Sequence, residues 1–475
     1  MLVLLIGAVL AIPIAFYILC AGRNWWFLDP INTFWPGYIL FGVVEPWSFR
    51  QDWIDIYGAD TTIRTQTMYL VAGVCVCIGY RLRLGDRVAS MLPAVRGRDH
   101  NQKFVILGVT VCVIGLAAYA YVIAASGGLY EFLAISRTNI DYSEISGYVI
   151  NLLAFVPLGL LILLCVSYSV SHYVFLRKGA LVGTLAYAAW AVYSGTRSGI
   201  IAVAVILLGS VYGPRRRHPH PLIAVLALGV VVVLVGFTKQ YRSAFYGGQF
   251  HGDETSHQML ENSLKSYVNS ASSAAPLGAE FSVSAAVVQY VPDMVPYDRG
   301  HMLLELFTRA VPRSLWLDKV YPEGEAWDRI HRIAGTAGWI NAAGYVSGPA
   351  PSLVGKWYYI GGALGIVIGG VWTGVFLQAI RKYTLRYSGV ARVILAVGFA
   401  PLGFSEMNNP MLWPITWLPT TGVGILLIVI LSRKGASDSC NSRFADALAI
   451  SRSGGSSLTG GPVTASSTPK QEPAI

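Results

Sequence analysis

Residues 104–125, FVILGVTVCVIGLAAYAYVIAA, run for twenty-two positions without a charged side chain. At a rise of about 1.5 Å per residue, a helix of that length covers the roughly 30 Å hydrocarbon core of a bilayer. Working outward, the same criterion picks out 2–20, 32–48, 65–81, 148–170, 180–195, 199–212, 221–237, 353–379, 391–406 and 413–432. The expected fold is therefore an all-α polytopic membrane protein with about eleven transmembrane helices. The two middle spans are short and are separated only by Gly195, Thr196, Arg197 and Ser198, so they read either as a broken pair or as one long helix with an arginine inside it.

Composition agrees with lipid as the solvent. The chain is 54% apolar and only 13% charged, with a mean hydropathy of +0.53, whereas a soluble domain carries about 25% charge. The net charge of +10 points to nucleic acid only if the bases form one patch. Instead they sit in short clusters between apolar runs, as cytoplasmic loops do. Cys20, Cys75, Cys77, Cys112 and Cys165 lie inside apolar segments and read as small buried hydrophobes, not as a disulfide framework. The first twenty residues lack a basic leader region and read as a retained helix.

Orientation follows from Lys and Arg in the short loops. Arg83, Arg87, Arg96, Arg98 and Lys103, then Arg177 and Lys178, then Arg215, Arg216 and Arg217, then Arg381, Lys382 and Arg386, and finally Arg433 and Lys434 share one side when the spans alternate. That side is read as cytoplasmic. Four parts result: N-terminal transmembrane helices at 1–237, a large outer loop at 238–352, C-terminal transmembrane helices at 353–432, and a Ser/Gly/Thr/Pro-rich tail at 433–475 expected to be disordered. The outer loop contains Trp316, Trp327 and Trp339 and is too aromatic for a linker; short helices are expected in it, with 281–291 dipping into the membrane.

Absences exclude whole classes of chemistry. The chain has no GxxxxGK[ST] loop, no strand-borne GxGxxG, no HExxH or CxxC, and no DxD, so no nucleotide, metal or other cofactor is expected. Three local signals remain. The first is the turn Ser194-Gly195-Thr196-Arg197-Ser198-Gly199, where an arginine at a span end meets an anion or snorkels to the headgroups. The second is a set of pieces in the outer loop: Tyr241-Arg242, Ala279-Glu280-Phe281, Pro296-Tyr297-Asp298-Arg299-Gly300, and the run from Arg309 through Pro312-Arg313-Ser314-Leu315-Trp316 to Lys319. Clustered guanidinium forks beside a membrane suit a phosphorylated headgroup, or else form surface ion pairs. The third is the small-residue stretch 347–355, followed by a span holding Gly361, Gly362, Gly365, Gly369 and Gly370, which reads as close helix packing.

Taken in order, these segments resemble the oligosaccharide repeat-unit polymerases, the Wzy-type O-antigen and exopolysaccharide polymerases. The matching pieces are the Gly-Thr-Arg turn at 195–197, Tyr241-Arg242, Glu280-Phe281, the Pro-Arg-Ser-Leu-Trp element from 312 to its lysine at 319, and the small-residue stretch leading into the Gly-rich helix at 347–370. The likeness covers 190–370, and the rest of the chain only by hydropathy. Lys356 stands where the family often has an acid, so no catalytic task is assigned to it.

The resemblance implies a GT-C-like fold with a partly helical periplasmic loop. The implied activity is metal-independent glycosyl transfer at the periplasmic face of a bacterial inner membrane. A polyprenyl-diphosphate-linked glycan is the donor and a second lipid-linked repeat unit the acceptor. Membrane lipid, a chain-length regulator and a flippase are the implied partners. As the glycosyl–phosphate bond breaks, charge grows on the diphosphate, and Arg197, Arg242, Arg309 and Arg313 are the candidates to hold it. Glu280, between Ala279 and Phe281, is the candidate base, with His331 as runner-up. Tyr241, Tyr297, Trp316 and Trp339 are candidate faces for sugar rings, or interface anchors. Two rivals stand beside this reading: an O-antigen ligase-type enzyme with the same donor, and a transporter or flippase of lipid-linked sugars. The nearly charge-free spans weigh against the transporter.

Overall fold

The computed structural model describes residues 1–20, 28–92, 101–129, 147–170, 172–194, 197–214, 280–301, 351–387 and 389–408, together with positions 132, 220, 222, 223, 226, 229, 230, 233, 234, 303, 333, 422 and 426. Most of the outer loop, most of the expected spans at 221–237 and 413–432, and the whole tail lie outside these residues.

The described residues form helices and no strands. In chain order they are α1 (Leu2–Cys20), α2 (Pro30–Ile39), a π-helical segment (Leu40–Val44), α3 (Glu45–Ser48), α4 (Arg50–Tyr57), α5 (Ala59–Arg81), α6 (Leu84–Met91), α7 (Asn101–Ala125), α8 (Gly147–Leu152), α9 (Phe155–Ser169), α10 (Val174–Tyr193), α11 (Arg197–Tyr212), α12 (Glu280–Tyr290), α13 (Leu353–Leu385), α14 (Gly389–Phe399) and α15 (Pro401–Asn408). Among the described residues, five stretches are long and apolar enough to cross a membrane: Ala59–Arg81, Asn101–Ala125, Val149–Ser169, Leu353–Leu385 and Gly389–Asn408; Leu2–Ile18 and Gly199–Tyr212 are shorter apolar helices. The region around Arg197 is a broken pair, with α10 and α11 as separate helices that pack on each other and on α9.

Among the described residues, two large apolar cores hold the bundle. One is aromatic: Phe16 of α1, Phe34, Trp35 and Tyr38 of α2, and Tyr69 and Tyr80 of α5 pack in edge-on and tilted pairs. The other gathers the buried faces of α7, α9 and α14. The α5–α13 crossing is close: a side chain at Gly79 would strike the Val371 carbonyl and one at Gly374 the Val76 carbonyl. Small residues at both positions let the backbones touch, as in tightly packed membrane helices.

The span expected at 353–379 is not one rod. At Gly361 and Gly362 the backbone leaves the helical region, Gly362 with φ +63°, a conformation that side chains disfavour. Trp357 and Gly369 are twelve residues apart, roughly 18 Å in a straight helix. Yet the Trp357 ring fills the place a side chain at Gly369 would take, and its carbonyl presses on Gly365. The short arm, 353–360, is therefore folded back on the long arm, 363–385. The Gly-rich pattern serves this fold-back as well as the crossing with α5.

The two ends of the bundle differ in charge. At one end Arg381 meets Asp29 (Nε to Oδ2, 3.0 Å) and donates to the Tyr80 hydroxyl (3.2 Å), while Tyr80 donates to Asp29 (2.6 Å). Asp29 also caps α2, accepting from Ile31 N–H at 3.3 Å ahead of Pro30, a preferred helix start. Lys382 pairs with Asp86 at 2.9 Å, and Arg386 donates to the carbonyls of Ala89 in α6 and of Leu92 just past its end. The bases at 381–386 thus lie at the end of α13, not in a loop, and share the end where α5 finishes. At the other end lie the start of α5, α4, α12 and the short arm of α13.

Candidate functional site

The site is built where α12, α5, the π-helical segment and the short arm of α13 meet. Position 69 is the eleventh of the 23 residues of α5, so Tyr69 marks the middle of that helix. Its hydroxyl lies 2.7 Å from Ser352 Oγ and 3.4 Å from Ser284 Oγ, and the two serine oxygens are 2.8 Å apart. Ser352 is the N-cap of the short arm, accepting from Val354 N–H at 3.3 Å. Ser284 lies one turn into α12 and donates to the Glu280 carbonyl at 2.8 Å. The short arm thus starts beside the middle of α5 and runs toward the end remote from the basic loops, and α12 packs on both there. The segment expected to dip in near 281–291 is α12, with Phe281 through Val288 buried and the Phe281 ring stacked on Tyr69 at 5.7 Å. Half-helices at such depth need their first backbone N–H groups met by protein, because lipid supplies no acceptor.

Glu45 meets one of them. Its side chain, 1% exposed, accepts the Phe281 N–H at 2.9 Å through Oε2. The π-helical segment at 40–44 adds one residue per turn just ahead of Glu45 and so turns it toward α12. Gln66 of α5 holds that segment, donating to the Gly42 carbonyl at 2.6 Å, and the Tyr69 ring packs against Gly42. Tyr57 of α4 adds a bond to Ser282 at 2.7 Å. On the short arm Lys356 is 3% exposed. It sits one residue past Gly355, where α12 crosses so closely that a side chain at 355 would touch Ser284.

Toward the end of the short arm the seam opens. Arg64, exposed and five residues before Tyr69, donates to the Tyr358 hydroxyl at 2.5 Å, with its guanidinium carbon 5.6 Å from the ring centre. Tyr297 meets Tyr358 edge-on at 6.3 Å and stacks its hydroxyl over Gly362. The loop behind Tyr297 closes the fold-back: Asp298 and Arg299 N–H groups donate to the carbonyls of Tyr359 (3.0 Å) and Ile360 (3.1 Å), the last groups of the short arm. Roughly 7.5 Å of helix axis separates Arg64 from Tyr69.

Of the residues singled out from sequence, Glu280 begins α12 and Tyr297 lies at the outer rim. The two lie on either side of α12 in the chain, Glu280 at its first residue and Tyr297 in the loop that follows Tyr290. Arg197 begins α11, and the position of its side chain lies outside the described residues. So do Tyr241, Arg242, Arg309, Arg313, Trp316, His331 and Trp339. The reading of the spans as nearly charge-free is corrected: Glu45, Lys356 and Glu406 are all buried in the bundle, at 1%, 3% and 2% exposure. A hydropathy window averages a single charge away, and Glu45 in the run 32–48 belongs to no recognisable motif. An ionisable residue in a span is itself a signal of function.

Fold and site together define a membrane protein, helical in its described elements, with a polar seam buried where α12 meets the short arm of α13, on the side away from its basic loops. Residues 132–392 match the family described as Domain of unknown function (DUF8712), and the chain belongs to that family. No curated protein matches it, nor does any solved structure. The matched range holds α12, Ser352, Lys356 and Tyr358, while their partners Glu45, Arg64 and Tyr69 precede it.

Proposed function

We propose that this chain is a polysaccharide polymerase of about eleven spans and GT-C-like fold. It joins polyprenyl-diphosphate-linked repeat units at the periplasmic face of a bacterial inner membrane. The observation that carries the reading is the position of Glu280. It begins a buried half-helix in a seam that also holds Glu45, Lys356, Arg64 and Tyr297, at the end opposite Arg381 and Lys382. The resemblance of 190–370 to Wzy-type polymerases supports it from the sequence.

In this reading the acceptor hydroxyl oxygen bonds to the anomeric carbon while the glycosyl–phosphate bond breaks. The bonding pair leaves on the diphosphate, and the hydroxyl proton passes to the Glu280 carboxylate. Arg197, Arg242, Arg309 and Arg313 stabilise the leaving diphosphate, and Tyr241, Tyr297 and Trp316 offer faces to the sugars. Deleting the gene leaves single-repeat glycan on its carrier; normal-length polymer in the deletion strain contradicts the proposal. Full-length polymer accumulating on the carrier instead marks a ligase.

One observation favours a second reading, a transporter of lipid-linked sugars. A short helical arm starting at mid-bundle beside α12, with buried Glu45, Lys356 and Glu406, is a feature that transporters use. Purified protein in liposomes separates the two, since glycan elongation without any gradient excludes pure transport.

A further inference from the structure

We infer that Glu45 is the positioning residue for Glu280: its carboxylate fixes the start of α12 and thereby aims the base at the acceptor hydroxyl. The inference rests on the polymerase reading for its catalytic half and on geometry alone for its positioning half.

The geometry is specific. Glu45 is 236 residues from Phe281 in sequence, yet its Oε2 takes the Phe281 N–H at 2.9 Å in a fully buried setting. That N–H belongs to the residue directly after Glu280, so the bond fixes the peptide unit from which the Glu280 side chain springs. The first turn of a helix has no internal acceptor for its N–H groups, and a carboxylate there is also favoured by the helix dipole. Glu45 does not float: the π-helical segment before it is tied to α5 by Gln66, and Pro46 follows it. Behind α12, the Tyr69–Ser284–Ser352 triangle and the Tyr57–Ser282 bond restrain the helix laterally. The Glu45 bond and the stacking of the Phe281 ring on Tyr69 both act at the residue next to Glu280, and of the two the Glu45 bond is the one that holds its backbone. Small misplacements of a reacting group cost large factors in rate, so a cap at this point acts on turnover more than on donor binding, which the reading assigns to arginines elsewhere.

The test uses the full chain and three substitutions. Glu45→Gln keeps an oxygen acceptor for the Phe281 N–H and loses the charge; Glu45→Leu loses both; Glu45→Asp draws the acceptor back by one methylene. Position is read without activity by a cysteine pair, Ser284→Cys with Gly355→Cys, placed where α12 crosses the short arm. Oxidative cross-linking is expected to persist with Gln and to fall several-fold with Leu, Asp lying between. Turnover is read in membrane vesicles carrying the cell's own lipid-linked repeat unit. There Leu lowers kcat by roughly 10- to 100-fold with KM within about twofold, and Gln restores most of the loss. Undiminished cross-linking in Glu45→Leu overturns the inference, as does a Leu variant that loses activity only through KM. A wild-type preparation that elongates nothing sinks the polymerase reading instead, and the cross-link still decides whether Glu45 holds α12.

Discussion

At the scale of single residues, the hydroxyl triangle and the Asp29 ion pair make separate demands. Tyr69→Phe removes the phenolic oxygen that bonds Ser352 and Ser284 while keeping the ring stacked on Phe281. With the serines left to bond each other, the expected loss is about 1–2 kcal/mol, read as a lower unfolding midpoint in detergent. Asp29 tests the other end of the bundle. Burial pushes its carboxyl from an ordinary 3.8 up to about 6, against the downward pull of Arg381, Tyr80 and the Ile31 N–H. Between those values the folded state holds a proton that the unfolded state has released. Stability from this group is therefore full below pH ~4, falls as pH rises to ~6 and is level above. Comparing wild type with Asp29→Asn across that range checks the sign: the wild-type advantage in midpoint shrinks on going from pH ~4 to ~6, and an advantage that grows contradicts it.

Among elements, the folded-back α13 is the piece on which the site depends. Its short arm carries Ser352, Lys356 and Tyr358, and its return is possible because Gly365 and Gly369 leave room for Trp357. Gly369→Ala puts a methyl into the Trp357 ring and is expected to cost about 1–3 kcal/mol. Adding Trp357→Ala relieves that clash, so the double variant is less destabilised than the two single effects summed, as detergent unfolding will show. Much of the element order was legible in the sequence. The lengths of apolar runs located α1, α7, α9 and α14–α15 within a few residues, because a bilayer imposes length directly. The fold-back was not legible, since Gly361-Gly362 inside a Gly-rich run looks the same whether helices cross or one helix turns. The α10–α11 break was ambiguous for a related reason: four small or polar residues at 195–198 suit either arrangement, and the packing of both helices on α9 decides it.

Across the whole molecule, the charge pattern and the seam give one direction. The bases at 381–386 gather at the end where α5 stops, and the seam opens at the end where α5 begins. A membrane-impermeant thiol reagent applied to intact spheroplasts is expected to label a cysteine placed at Asp60 and to spare one placed at Asp86; the reverse pattern inverts the orientation. Glu280 stands out in the sequence only through segments that resemble a known family, whereas Glu45 does not stand out at all. Its role exists only once π-helical geometry and a contact across 236 residues of chain bring it to α12. The central claim is that this seam elongates lipid-linked glycan, and proteoliposomes test it most directly. Purified chain given its cognate polyprenyl-diphosphate repeat unit, with no gradient imposed, should produce a ladder of lengthening glycan that Glu280→Gln abolishes. A repeat unit left at single length, or a ladder undiminished by Glu280→Gln, contradicts the account.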